Sequence, residues 1–243
     1  MTTPLNYHDL IENLAAPGCA VCRLVLRDVD HYLDSLLYEY VNDADTHRAF
    51  RSARGLCNVH GWQLLRYMGG SLGVAILYRA ALDEVLKITD RAPASGSPPS
   101  GLARLLGATA DAGGLALADS LEPAGQCPAC AFMVGVEARY VRTFVDRITE
   151  PRLREAFEAS DGLCLPHFRQ TLRASVDAGR IQVITAIQRD VWVRLKGELE
   201  EFQEKSGRYR RNEPMGAEGD SWQRVIGRMV GEKGVFGLDR RPA

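Results

Sequence analysis

The sequence lacks any apolar run long enough to cross a membrane. A membrane-spanning helix needs about 20 consecutive apolar residues, and the longest candidate, Ser71–Leu82, is interrupted by Arg79. The N-terminal residues Met1–Asp9 also lack the basic start and apolar core of a secretory signal peptide. These absences predict a cytoplasmic protein without membrane association, in a compartment where thiols stay reduced and disulfides are rare.

A strong net charge and the familiar catalytic motifs are also missing. The 30 Lys and Arg residues nearly balance the 31 Asp and Glu residues, so the chain as a whole has no electrostatic bias towards nucleic acid. Hydrophobic residues make up 46% of the sequence, too many for a disordered chain. No glycine-rich phosphate loop, nucleophile elbow or dinucleotide-binding fingerprint is present. These observations argue against an enzyme without deciding the question.

What the sequence does contain is two copies of one cysteine pattern. Each copy is a Cys-x-x-Cys pair followed, after 34 or 33 residues, by a Cys-x-x-His pair. Short-spaced pairs of soft ligands that meet in the fold are typical of tetrahedral metal sites. The eight candidate metal ligands, which include every cysteine of the chain, are Cys19, Cys22, Cys57, His60, Cys127, Cys130, Cys164 and His167.

The similarity between the two copies extends beyond the ligands. Arg54–His60 and Asp161–His167 both contain Gly-Leu-Cys-x-x-His, and Leu14–Cys19 resembles Leu121–Cys127, with one extra residue in the second copy. A near-constant offset with shared flanks predicts an internal duplication in which each repeat carries its own site. We therefore expect one metal ion to be held by Cys19, Cys22, Cys57 and His60, and the other by Cys127, Cys130, Cys164 and His167.

Apolar residues recur at helical spacing, whereas strand-like alternation is nearly absent. One such series is Val25, Val29, Tyr32, Leu36 and Tyr40, at intervals of three and four residues. The pattern predicts an all-α fold, an internally duplicated helical bundle in which each repeat is fastened by one Cys3His metal site. We expect helices at about 22–41, 44–53, from 58 onward, 71–89, 128–148, 151–159, 165–176, 180–205 and 221–230.

Changes in composition predict four segments along the chain. Residues 91–101 are rich in Pro, Ser, Gly and Ala, as expected for a flexible linker. The predicted order is a first helical metal-binding repeat at 1–90, a linker with a weak helix at 91–117, a second repeat at 118–206, and a basic tail at 207–243. The tail contains a short amphipathic helix, whose apolar side chains we expect to dock on this chain rather than on a partner.

Zinc is the expected cofactor, with two ions per chain, because closed Cys3His sets are a common structural zinc arrangement. The alternative is an iron–sulfur protein, since clusters also use thiolate and histidine ligands, or a redox- or metal-responsive protein that uses the same two Cys3His sites. A closed four-ligand site has no open position for a reacting water. The predicted role is therefore binding, scaffolding or regulation through a protein partner, and a homo-oligomer is left open.

A small basic cluster in the tail supports a second alternative. Arg208, Arg210 and Arg211 surround Tyr209, and basic residues interleaved with an aromatic can bind a phosphate or an RNA backbone. This cluster is the candidate anion site of a nucleic-acid-associated module. A solvated segment is the simpler interpretation, because the excess of basic residues in the tail is mild.

Taken together, these elements resemble a bacterial family that carries a domain-of-unknown-function label. Members of that family share the paired Cys-x-x-Cys and Gly-Leu-Cys-x-x-His elements and a tail similar to Tyr209–Trp222. The resemblance covers most of the chain apart from the linker. It implies no activity, because the shared elements mark the family without indicating a reaction.

Overall fold

A computed structural model of the chain describes residues 5–91, 114–207, 210 and 212–236, and every regular element in these ranges is helical. None of the described helices is long and apolar enough to cross a membrane. Short 3-10 turns lie at Leu64–Arg66 and Ala217–Asp220. The α-helices are α1 (Leu5–Leu14), α2 (Ala20–Tyr38), α3 (Ala44–Ser52), α4 (Asn58–Gln63), α5 (Ser71–Arg91), α6 (Gly114–Leu121), α7 (Pro128–Arg147), α8 (Pro151–Ala159), α9 (Leu165–Ala174), α10 (Ala178–Ser206) and α11 (Ser221–Val230).

The all-α prediction is confirmed, and most helix boundaries fall within a few residues of those expected. Local signals explain this agreement. The side chains of Asp43 and Asp177 accept hydrogen bonds from backbone N–H groups in the first turns of α3 and α10, at 2.7 and 2.8 Å. Pro151 opens α8, where its missing N–H has no intrahelical partner to lose.

Helix α1 was not expected from the sequence, and the predicted linker cannot be compared with the structure. Helix α1 was not predicted, because its short sequence offers only three buried positions, Tyr7, Leu10 and Leu14. The predicted linker and most of the predicted weak helix lie outside the described residues. Helix α6 begins within the last part of that segment.

The chain divides into two compact units that do not follow the two sequence halves. Unit 1 comprises Met1–Asp30 and Met133–Ala243, and unit 2 comprises His31–Phe132. The division falls within helices α2 and α7. Each unit therefore combines chain from both of the predicted repeats.

Each unit has an apolar core with aromatic contacts. In unit 1, α1 packs on α8 and α11 packs on α9 and α10, while Phe144 and Phe157 meet edge to face with centroids 4.9 Å apart. In unit 2, α3 packs on α5, and Phe50 meets Tyr78 edge to face at 5.1 Å. These cores position the helix ends that carry the cysteines.

Candidate metal centres

The structure brings the eight predicted ligands into two groups of four. In each group the four donor atoms lie within 4.8 Å of one another. Site I belongs to unit 1 and site II to unit 2. Site I consists of Cys19, Cys22, Cys164 and His167, and site II consists of Cys57, His60, Cys127 and Cys130.

The predicted pairing of the ligands was wrong. Each site takes its Cys-x-x-Cys pair from one half of the sequence and its Cys-x-x-His pair from the other half. Neither sequence half therefore brings four donor atoms together by itself. The sequence similarity of the two halves persists, but it does not delimit the sites.

In unit 2, backbone hydrogen bonds explain why ligands distant in sequence meet. The carbonyl oxygen of Ser52 accepts hydrogen bonds from the N–H groups of Ala124 and Gly125, at 3.0 and 3.2 Å. The guanidinium of Arg54 donates to the carbonyl of Ser120 at 3.1 Å. The segment that precedes Cys57 is thus fastened to the segment that precedes Cys127.

In unit 1, a carboxylate makes the corresponding connection. Asp161 Oδ2 accepts the N–H of Gly18 at 3.0 Å and forms an ion pair with Arg228 at 2.6 Å. Gly18 immediately precedes Cys19, and Asp161 lies three residues before Cys164. One side chain therefore joins both ligand-bearing segments of site I to α11.

All four ligand pairs lie at helix N-termini. Cys57 and Cys164 are the N-caps of α4 and α9, in nearly identical extended conformations, and neither sulfur makes a capping hydrogen bond. Gly55 and Gly162, two residues earlier, both have positive φ angles, of 99° and 74°. The other two pairs straddle the starts of α2 and α7. The unpaired N–H groups and the dipoles of these helix ends stabilise thiolates.

The distances between donor atoms fit a single tetrahedral ion. A centre with Zn–S bonds of about 2.3 Å and Zn–N bonds of about 2.0–2.1 Å has S···S edges of about 3.8 Å and S···N edges of about 3.5 Å. In site I, Nδ1 of His167 lies 3.2–3.4 Å from the three sulfurs. In site II, Nδ1 of His60 lies 3.3–3.7 Å from its three sulfurs. Both sites contain an S···S edge of 3.7 Å, Cys22 to Cys164 and Cys57 to Cys130.

The close approach of the cysteine sulfurs in site II shifts the pKa values of Cys57, Cys130 and His60. Hydrogen bonds with Cys127 and Cys57, together with burial, raise the pKa of Cys130. The pKa of Cys57 is lowered, because hydrogen bonds from Cys127 and Cys130 outweigh its desolvation. Burial opposes protonation of His60, but its sulfur neighbours raise its pKa to about 9. A divalent cation must therefore displace shared protons, so metal affinity falls in acid.

The two sites differ in their exposure to solvent. All four ligands of site I have 0% exposed surface. In site II, His60 and Cys130 are buried, but Cys57 and Cys127 are partly accessible. Reagents in solution can therefore approach site II directly and site I only after the surrounding structure opens.

A buried carboxylate orients the histidine of site I. Glu137 Oε1 lies 2.8 Å from Nε2 of His167, whose Nδ1 faces the three sulfurs. Such a partner fixes the imidazole tautomer and strengthens it as a metal ligand. Sequence reasoning missed this role because Glu137 lies in α7, the helix that begins with the cysteine pair of the other site.

Different side chains support the two Gly-Leu-Cys turns. In site I, the buried amide of Gln188 accepts the N–H of Leu163 at 2.8 Å and donates to its carbonyl at 3.1 Å. A Cβ at Gly162 would lie 2.9 Å from this amide. In site II, the ring of Tyr78 lies so close to Gly55 that a Cβ there would approach it to 3.0 Å. No motif in the sequence links either partner to its turn.

The chain after α11 covers site I. The N–H of Glu232 donates to Cys22 Sγ at 3.5 Å, and the ring of Phe236 lies 5.1 Å from that of His167. Val235 between them has 0% exposed surface. A segment that the sequence marks only as tail thus completes the surroundings of site I.

The predicted anion-binding cluster of the tail falls mostly outside the described residues, because Arg208 and Arg211 are not among them. Arg210 forms ion pairs with Glu204 at 2.7 Å and with Glu213 at 2.6 Å. These two carboxylates raise the pKa of Arg210. Its charge is therefore already balanced within the chain, which does not favour a phosphate ligand at this position.

The described residues define an all-helical protein with two Cys3His groups, each of which could hold a metal ion. The chain belongs to the family of unknown function DUF6062, which matches residues 15–234 and so includes all eight ligands; the resemblance noted from the sequence is confirmed. It is also similar to an uncharacterized 23.9 kDa protein in the xynA 3′ region of Caldicellulosiruptor sp. (strain Rt8B.4). The two are 27% identical over 207 residues, which cover 81% of this chain and 86% of that protein. No solved structure matches the chain.

Proposed function

We propose that the protein binds two structural zinc ions and acts as a binding or scaffolding module in the cytoplasm rather than as a catalyst. The observation that carries this proposal is that each site gathers four donor atoms within 4.8 Å of one another, which is a full tetrahedral set. Three thiolates and one imidazole around Zn²⁺ leave a net charge of about −1, which the helix N-termini offset. Zinc bound at these positions would fasten helix ends together and add directly to folding stability.

The same distances favour one ion over an iron–sulfur cluster. A cluster distributes its protein ligands over two or more irons, which places ligands on different irons farther apart than ligands that share one centre. Here all four donors of a site lie within 4.8 Å of one another. Visible spectra of protein purified without oxygen test this point, because a brown preparation that bleaches on reduction would contradict the zinc proposal.

Metal counting tests both the stoichiometry and the crosswise pairing. We expect two zinc equivalents per chain, measured by elemental analysis of protein purified without added metal. The double variant Cys19→Ser with Cys164→Ser disrupts only site I and should retain one equivalent. The double variant Cys19→Ser with Cys57→Ser disrupts both sites and should retain none. The reverse result would support the pairing within each sequence half.

The partial exposure of site II favours a second candidate function, metal release on oxidation. Cys57 is partly accessible and its sulfur lies 3.7 Å from that of Cys130. Hydrogen peroxide could accept two electrons from these two thiolates, which would form one S–S bond while the peroxide and two protons become two waters. Site II would then lose two donors and its metal. Mass spectrometry of peroxide-treated protein should find the Cys57–Cys130 disulfide together with the loss of one zinc equivalent; a stable metal content would exclude this function.

We also infer that the two halves arose by duplication, with the ligand pairs exchanged between them. The matching N-cap conformations of Cys57 and Cys164, and the positive φ angles of the glycines before them, support this view. Replacing Asn58-Val59 with the Leu-Pro pair found at the equivalent positions should then preserve two metal equivalents. Loss of metal from that variant would argue that the two turns are not equivalent.

A further inference from the structure

Helix α11 is amphipathic, but its polar face is turned towards the protein interior and its apolar face towards solvent. Its buried residues include Ser221 and Arg228, which have 0% and 4% exposed surface. Its large apolar side chains face solvent instead, contrary to the expectation that they dock on this chain. The exposed fractions are 49% for Trp222, 56% for Ile226, 50% for Met229 and 58% for Val230.

Ion pairs explain why the polar face points inward. Arg228 pairs with Asp161 at 2.6 Å, beside site I. Arg224 pairs with Glu198 of α10 at 2.5 Å and with Asp220 at 2.6 Å. These contacts attach α11 to α10 and to the segment that precedes α9 without using its apolar side chains.

The four apolar side chains form one continuous surface, which we call the α11 stripe (Trp222, Ile226, Met229 and Val230). Their spacing of four, three and one residues places them on one side of the helix over more than two turns. With about half of each side chain exposed, the stripe presents on the order of 400 Å² of apolar surface, the size at which exposed patches usually mark an interaction site.

We propose that the α11 stripe binds the same stripe of a second copy of this chain, with the two helices antiparallel across a two-fold axis. Two copies of the stripe would bury on the order of 800 Å² of apolar surface, and their flanks would bring the total towards the roughly 1,000 Å² expected of a specific interface. A two-fold contact requires a patch complementary to itself, and an uncharged stripe meets this requirement. Tryptophan and methionine are also enriched in protein interfaces.

The charges around the stripe favour this partner over a lipid surface. Helices that lie on membranes carry Lys and Arg on their polar face, free to contact anionic headgroups. In α11 the two arginines, Arg224 and Arg228, are held by carboxylates of their own chain. Because both arginines are paired with carboxylates, two copies of α11 that pack about a two-fold axis do not bring unpaired positive charges together.

Sedimentation equilibrium of the full, metal-loaded chain tests the proposal. We expect the wild type to be a dimer, and Ile226→Glu to raise the dimer dissociation constant by about 100-fold or more, because it places two carboxylates in an apolar contact. Val176→Glu is the matched control, since Val176 is fully exposed in the same unit but lies outside the stripe. This control should remain dimeric. Unchanged helicity and two metal equivalents establish that each variant is folded.

A mixing experiment separates a specific interface from general damage. Ile226→Lys should also be monomeric, and an equimolar mixture with Ile226→Glu should form a heterodimer, because residue 226 lies near the middle of the stripe and meets its symmetry mate. A wild type that stays monomeric at about 100 μM would overturn the proposal, as would a dimeric Ile226→Glu. Co-sedimentation of a monomeric wild type with anionic phosphatidylglycerol vesicles would assign the stripe to a lipid surface instead.

Discussion

Site I and site II have the same donor set, the same ligand spacing and the same helix-terminal placement, yet their surroundings differ. The ligands of site I are completely buried, its histidine is held by Glu137, and the segment after α11 covers it. In site II, Cys57 and Cys127 reach the surface. The comparison shows that the same residue types at the same spacing can be placed in a fully buried or in a partly exposed environment, and that the rest of the fold decides which.

Removing a ligand should have the largest effect and should separate the two units. Cys164→Ser should cost site I its metal, and structural zinc contributes on the order of 10 kcal/mol to folding, comparable with the whole stability of a domain. We expect unit 1 to lose its protected amides in hydrogen-exchange measurements while unit 2 keeps its own. Cys57→Ser should produce the opposite pattern. Loss of protection in both units from either variant would show that the sites are not independent.

Gly162→Ala should destabilise unit 1 by about 2–4 kcal/mol, because alanine is strained at this positive φ and its Cβ would displace the buried Gln188 amide. Gly197→Ala is the matched control. It lies in α10 with no atom within 4 Å of the added Cβ, and replacing a helical glycine should stabilise by up to about 1 kcal/mol. Urea denaturation of both variants measures the difference; equal stabilities would mean that the turn of site I tolerates a side chain.

Glu137→Gln should weaken metal binding at site I by about 10- to 100-fold and leave site II unchanged, because the amide is a poorer partner for the His167 imidazole than a carboxylate. Competition with a chromophoric chelator at equilibrium measures the two affinities separately. An equal loss at both sites would indicate a general effect on folding rather than on the orientation of His167.

The smallest expected effect is on the rates at which the two sites lose zinc to a chelator. A chelator in excess should remove zinc from the wild type in two phases, with site II about 10-fold faster or more, because its partly exposed sulfurs are accessible without opening of the fold. The fast phase should be missing from Cys57→Ser and present in Cys164→Ser. A single phase would contradict the contrast in accessibility between the two sites.

Much of the fold could be predicted because its signals are local. The start of α8 follows from Pro151, and the starts of α3 and α10 follow from their capping residues Asp43 and Asp177. The eight ligands could be identified for the same reason, since Cys-x-x-Cys and Cys-x-x-His place two donors on adjacent turns at a helix start. Helix α1 escaped prediction because it has only ten residues and buries only three of them, Tyr7, Leu10 and Leu14, so its local signal is weak.

The ligand pairing could not be predicted, because it depends on where the chain goes between the pairs. Helix α2 has 19 residues and is about 28 Å long, and the residues between it and Cys57 are long enough either to return to Cys19 or to continue elsewhere. The similarity of the two sequence halves favoured a return of Cys57 to Cys19. The hydrogen bonds of Ser52 with Ala124 and Gly125 show that the chain before Cys57 lies instead beside the chain before Cys127.

The sequence by itself determined the helical class, the family and the eight residues that form the two Cys3His groups, because each depends on residue types at short, fixed spacing. Tertiary structure alone decided which ligand pairs meet, which site is buried, and which face of α11 is exposed. These features depend on contacts between residues far apart in the chain, such as Arg228 with Asp161 and Glu137 with His167. Such contacts leave no local pattern, and the packing of the helices selects among pairings that the chain length permits equally.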